Sequence, residues 1–88
     1  MATRVFVSGR VQGVGFRAFA RDAAQRHGVA GWVRNLGDGR VEAHLEGSAD
    51  ARERLIDVLR DGPPTGRVDD LLREERPTER CNTFEIRS

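Results

Sequence analysis

The chain has 88 residues, room for a single core, since a domain of this size buries only about 60% of its unfolded surface. Apolar residues make up 38% and charged residues 33%, which suits a soluble globular protein, and there is no run of about 18 apolar residues that could span a bilayer. A lone cysteine, Cys81, has no internal disulfide partner, and Met1-Ala2-Thr3 leads straight into a strand pattern. A cytoplasmic protein is therefore expected.

The net charge is +1, but it is unevenly spread: residues 1–40 carry seven arginines and two aspartates, whereas residues 41–88 carry eight arginines and twelve acids. The first half is thus the one suited to an anionic ligand.

Arg4–Val11 alternates as a strand does, with Val5, Val7, Gly9 and Val11 on one face. A loop with glycines at 13 and 15 follows. Arg17–His27 then carries Phe19, Ala20, Ala23, Ala24 and His27 at the spacing of an amphipathic helix, which Gly28 stops. Ala30–Leu36 reads as a second strand containing Trp32, with Trp32 and Phe16 expected as core or cradle support. Gly37-Asp38-Gly39 is a strong hairpin turn. In Arg40–Glu46, Val41, Ala43 and Leu45 alternate with Arg40, Glu42, His44 and Glu46, which predicts a sheet packed on one face and wet on the other. Ser48 is a helix N-cap, Leu55, Val58 and Leu59 form the buried stripe, and Gly62-Pro63-Pro64 ends the helix. Arg67–Arg76 fits a helix or a strand, and an irregular strand is favoured. Phe84 and Ile86 alternate in a short last strand.

The order β-α-β-β-α-β, with one further strand, predicts an α+β, ferredoxin-like two-layer sandwich spanning residues 1–88, its antiparallel sheet covered by two helices on one face. In that topology the first two strands run the same way with the third between them. The glycine loop and Asn35 then lie at the same end of the sheet, about 10 Å apart.

Gly13-Val14-Gly15-Phe16-Arg17-Ala18 formally matches the dinucleotide fingerprint G-x-G-x-x-A. That fingerprint requires a parallel βαβ unit and an acid near the end of the second strand, where this chain has Asn35 and a hairpin. RNA-binding domains share the element order but read bases with exposed aromatics, and the third strand offers none. No nucleic-acid or membrane partner is expected. A small phosphate-containing ligand fits better. Glycines let backbone N–H groups converge, a helix start leaves N–H groups unpaired, and Arg17 adds a charged fork. In such a site Arg17 would clamp phosphoryl oxygens and Asn35 would hold an attacking water. Neither segment offers a general acid apart from Asp38 in the turn, so the leaving group must depart unaided. A carboxylate, with a conjugate-acid pKa of about 4, does so.

With Val7-Ser8-Gly9-Arg10-Val11-Gln12-Gly13-Val14-Gly15-Phe16-Arg17, and with Gly31-Trp32-Val33-Arg34-Asn35 followed by Gly39-Arg40-Val41 and Gly47, the chain resembles the acylphosphatases. These are small enzymes that hydrolyse acyl phosphates to carboxylate and phosphate. The resemblance implies that Arg17 binds the phosphate, that Asn35 positions the water, and that the backbone of Gln12, Gly13, Val14, Gly15 and Phe16 forms the cradle. It implies no metal and no organic cofactor and an acyl phosphate as substrate; inorganic phosphate is expected as product and inhibitor, and the chain is expected to be a monomer. A non-catalytic anion- or phosphoprotein-binding module is the competing class, and the Arg17–Asn35 pair favours the enzyme.

Overall fold

In the computed structural model, which describes residues 1–88, five strands and two helices follow one another as β1 (Ala2–Arg10), α1 (Phe16–Arg26), β2 (Ala30–Asn35), β3 (Val41–Glu46), α2 (Ala49–Asp61), β4 (Arg67–Arg76) and β5 (Phe84–Arg87). The sheet order is β4-β1-β3-β2-β5. β3 pairs antiparallel with both β1 and β2, so β1 and β2 run the same way and end at the same edge. This is the ferredoxin-like arrangement with one addition: β5 pairs parallel with β2, which makes the sheet mixed rather than antiparallel throughout.

The predicted apolar stripes supply most of the core, but Phe19, His27 and Val58 are only partly buried, and Ile56, outside the expected stripe, is fully buried. Phe16, Ala20, Ala23 and Ala24 of α1 and Leu55, Ile56 and Leu59 of α2 pack on Val5, Val7, Val33, Val41, Ala43 and Leu45 from the sheet. The Ser48 hydroxyl accepts a hydrogen bond from the Ala51 N–H at 3.1 Å, as an N-cap should. β4 is the irregular strand expected. Its pairing with β1 jumps from Ser8↔Asp70 to Gly9↔Val68, so Asp69 is the extra residue of a β-bulge.

The opposite face of the sheet is not wet. Glu42, His44 and Glu46 alternate out of the core as predicted, yet all three are buried. Alternation states which face a side chain takes, and the chain after β4 returns to cover that face. The N–H groups of Glu79 and Cys81 both donate to the Glu46 carboxylate. Arg4 Nη1 and Arg34 Nε donate to Glu42 at 3.0 and 2.6 Å. Trp32 belongs to this layer and not to the core. It stacks on His44 with ring centroids 5.7 Å apart, donates from Nε1 to Glu79 at 2.9 Å, and lies under the guanidinium groups of Arg4, Arg34 and Arg87. Arg4 Nε donates to His44 Nδ1 at 3.1 Å, which leaves the ring proton on Nε2, 2.8 Å from Glu46.

Burial opposes the charge on Glu46, but the two N–H groups and His44 outweigh it and hold its pKa at about 2, against an ordinary 4.5. A depressed carboxylate stabilises the folded state above its unfolded pKa and loses that contribution as pH falls toward the folded value. Here the contribution is about 3 kcal/mol at neutral pH, lost between about pH 4.5 and 2. The melting temperature of the native chain should therefore fall steeply through that window. Glu46→Gln should start lower at pH 7 and fall less. Parallel curves for the two would exclude this assignment.

Candidate active site

The glycine loop closes over the end of β1 and delivers the chain into α1. Gly13 and Gly15 both adopt left-handed backbone, with φ of 75° and 77°. A Cβ at either position would meet no atom within 4 Å, so it is the dihedral and not crowding that calls for glycine there. Gly15 is also the N-cap of α1. No side chain caps this helix and no acid stands in its first turn. Its ladder begins with Phe19 N–H on the Gly15 carbonyl, so the N–H groups of Phe16, Arg17 and Ala18 lie ahead of the first intrahelical bond.

Phe16, Arg17 and Ala18 line a cleft of about 210 Å³ together with Val11, Gly13, Gly15, Asn35 and Ile86. The topology explains the meeting: Asn35 is the last residue of β2, and β2 ends beside the loop that follows β1. Arg17 donates from Nη1 to the Arg87 carbonyl at 3.3 Å. Unlike Arg21, which meets Asp22 at 3.6 Å, it has no carboxylate partner. Five of the seven residues expected in the site thus line one cleft. Gln12 and Val14 do not. The Val14 side chain packs against the core. Gln12 Nε2 donates to the carbonyls of Leu36 and Arg40 at 2.8 and 2.9 Å. Those two residues close the β2–β3 turn through Leu36 N–H to Arg40 O, so Gln12 ties the glycine loop to the hairpin that carries Asn35.

Ile86 in the cleft wall was not anticipated. It follows from the parallel pairing of β5 with β2, which puts Ile86 in register with Val33, two residues before Asn35.

A larger groove, about 450 Å³, lies along Gly31, residues 79–83, Glu85 and Arg87. Its lining holds two acids, Glu79 and Glu85, and two arginines, Arg80 and Arg87, and collects no net charge, so the smaller cleft is the better anion site. His44, Glu79 and Cys81 place a ring nitrogen, a carboxylate and a thiol within 4.8 Å of one another. Both His44 nitrogens and both Glu79 oxygens are already hydrogen-bonded. Burial and the Glu46 carboxylate push the Cys81 thiol up, away from the thiolate form a metal takes. This cluster clamps the covering segment to the sheet.

The acylphosphatase family model matches residues 3–86. The chain belongs to the acylphosphatase family. An acylphosphatase of Gloeobacter violaceus is 56% identical over 82 residues, 93% of this chain and 88% of that protein. An acylphosphatase of Rubrobacter xylanophilus is 53% identical over 85 residues, 96% and 77% of the two chains. The crystal structure of the Bacillus subtilis acylphosphatase superposes with a TM-score of 0.95 at 39% identity, covering 99% of this chain and 98% of the other. As a member of this family the chain is an acylphosphatase-type hydrolase, and no helix is long and apolar enough to cross a membrane.

Proposed function

We propose that the chain hydrolyses the carboxyl–phosphate bond of small acyl phosphates without a metal, through a cradle of backbone N–H groups with Arg17 and Asn35. The observation that carries this reading is the convergence of Arg17 and Asn35 on one cleft at the uncapped start of α1. The phosphoryl oxygens accept hydrogen bonds from the loop and helix N–H groups and from the Arg17 fork, which also neutralises the charge spread over them in the transition state. Asn35 holds a water for attack at phosphorus. The new P–O bond forms as the bond to the acyl oxygen breaks. The electron pair leaves on a carboxylate, which needs no proton because its conjugate acid has a pKa of about 4. The water's proton passes to a phosphoryl oxygen, and the products are a carboxylate and inorganic phosphate.

The test is hydrolysis of benzoyl phosphate in EDTA. Turnover should be fast, inhibited by inorganic phosphate, and nearly constant between about pH 5 and 8, because neither arginine nor asparagine side chains change charge in that range. A steep bell in that interval would require a general acid or base that the cleft does not contain. Absence of turnover with phosphate still bound would make the chain an anion-binding module.

A further inference from the structure

A second element reaches the cradle from outside the cleft. The connection from α2 to β4 is Gly62-Pro63-Pro64-Thr65-Gly66, and Gly66 N–H donates to the Pro63 carbonyl at 3.0 Å. That closes a β-turn with Pro64 in its second position, where the ring fixes φ, and Thr65 in its third. The turn is seated hard against the glycine loop. A Cβ on Gly66 would stand 2.6 Å from the Arg10 carbonyl oxygen and 2.9 Å from Val14 Cγ2. From this fixed position Thr65 Oγ1 donates to the Val14 carbonyl at 2.7 Å.

The Val14 carbonyl and the Gly15 N–H belong to one peptide plane, and the chain contains no cis peptide bond. In a trans peptide the C=O and N–H point in opposite directions. Fixing the carbonyl outward on Thr65 therefore turns the Gly15 N–H to the other side. A flip of this peptide would reverse both groups and put a carbonyl oxygen where a donor is wanted. Glycine at 15 makes such a flip inexpensive, since its φ is free to change sign. Some other group must hold the plane, and Thr65 is the one bonded to it.

We propose that Thr65 is a positioning residue for phosphate binding, which holds the Val14 carbonyl outward and so aims the Gly15 N–H into the cradle. The inference rests on the reading of the glycine loop as the phosphoryl site. Thr65→Val keeps the shape and removes the donor; Thr65→Ser keeps the donor. Thr65→Val should weaken inhibition by inorganic phosphate about five- to tenfold, the effect of one lost hydrogen bond, with little change in melting temperature. Thr65→Ser should restore it. In an amide NMR titration with inorganic phosphate, the Gly15 resonance should shift in the native and Thr65→Ser chains and lose most of that shift in Thr65→Val. If phosphate acts on Thr65→Val as on the native chain while Arg17→Ala loses it, Thr65 has no such role and the phosphoryl site stands. If Thr65→Ser loses phosphate as Thr65→Val does, the hydroxyl is not the cause and the proposal fails. If Arg17→Ala still binds phosphate normally, the underlying site is wrong and the proposal falls with it.

Discussion

Arg17→Ala should lower kcat/KM for benzoyl phosphate by about a thousandfold and remove inhibition by inorganic phosphate over the range in which it acts on the native chain. The two losses go together under the proposed mechanism, in which the guanidinium serves both states. It is the one formal positive charge lining the cleft, it sits in the first turn of α1 where the helix N–H groups are still unpaired, and no carboxylate neutralises it. Its one hydrogen bond within the chain, to the Arg87 carbonyl at 3.3 Å, is long for N–H···O. Truncating the side chain should therefore cost the fold less than about 1 kcal/mol, and the melting temperature serves as the control. Arg17→Lys should fall between the two, because a lysine restores the charge without the planar fork that meets two phosphoryl oxygens at once. Phosphate inhibition that survives Arg17→Ala while turnover is lost would place the phosphoryl group elsewhere in the chain.

The parts of the fold legible in the sequence are those with a period or a punctuation mark. The alternation of Val5 and Val7, the stripe through Ala20, Ala23 and Ala24, the Gly37-Asp38-Gly39 turn and the Ser48 cap each correspond to the element observed. Arg17 and Asn35 could be brought together in advance because topology alone decides their meeting. Two strands on either side of a common antiparallel neighbour must end at the same edge. What the sequence concealed is what comes from segments without a period. Nothing in the alternation of Glu42, His44 and Glu46 reveals that residues 77–83 fold back over them. That cover turns an expected solvated face into a buried polar layer, and Trp32, paired with His44 across the ladder, is buried in it. Ile86 reaches the cleft only because β5 chooses β2 as a parallel neighbour. Thr65 reaches Val14 because a proline-fixed turn lands beside a loop 51 positions earlier in the chain. Contacts of this kind are set by packing between elements, which local propensity does not encode.

Asn35→Ala should separate binding from chemistry where Arg17→Ala cannot. Asn35 lines the cleft and lies in β2, in register with Val41, so its backbone stays in the ladder when the side chain is removed. Gln12 continues to tie the hairpin to the glycine loop through the Leu36 and Arg40 carbonyls, and the cradle keeps its shape. Inorganic phosphate should therefore inhibit the variant within about twofold of the native chain, whereas kcat for benzoyl phosphate should fall about a hundredfold or more, the scale of losing one aligned group in a transition state. Asn35→Asp sharpens the test. It matches the carboxamide in size but brings a negative charge toward a phosphoryl group, so phosphate inhibition should weaken along with kcat. An alanine variant that loses phosphate affinity and turnover alike would make Asn35 part of the cradle and leave the attacking water unassigned. A variant that keeps both would show that the asparagine is only the residue that ends β2 before the turn. The selective loss of kcat is the result that distinguishes a site organised for attack from one organised only to hold an anion, since a binding module needs the arginine and the loop but has no use for a group that holds water in line.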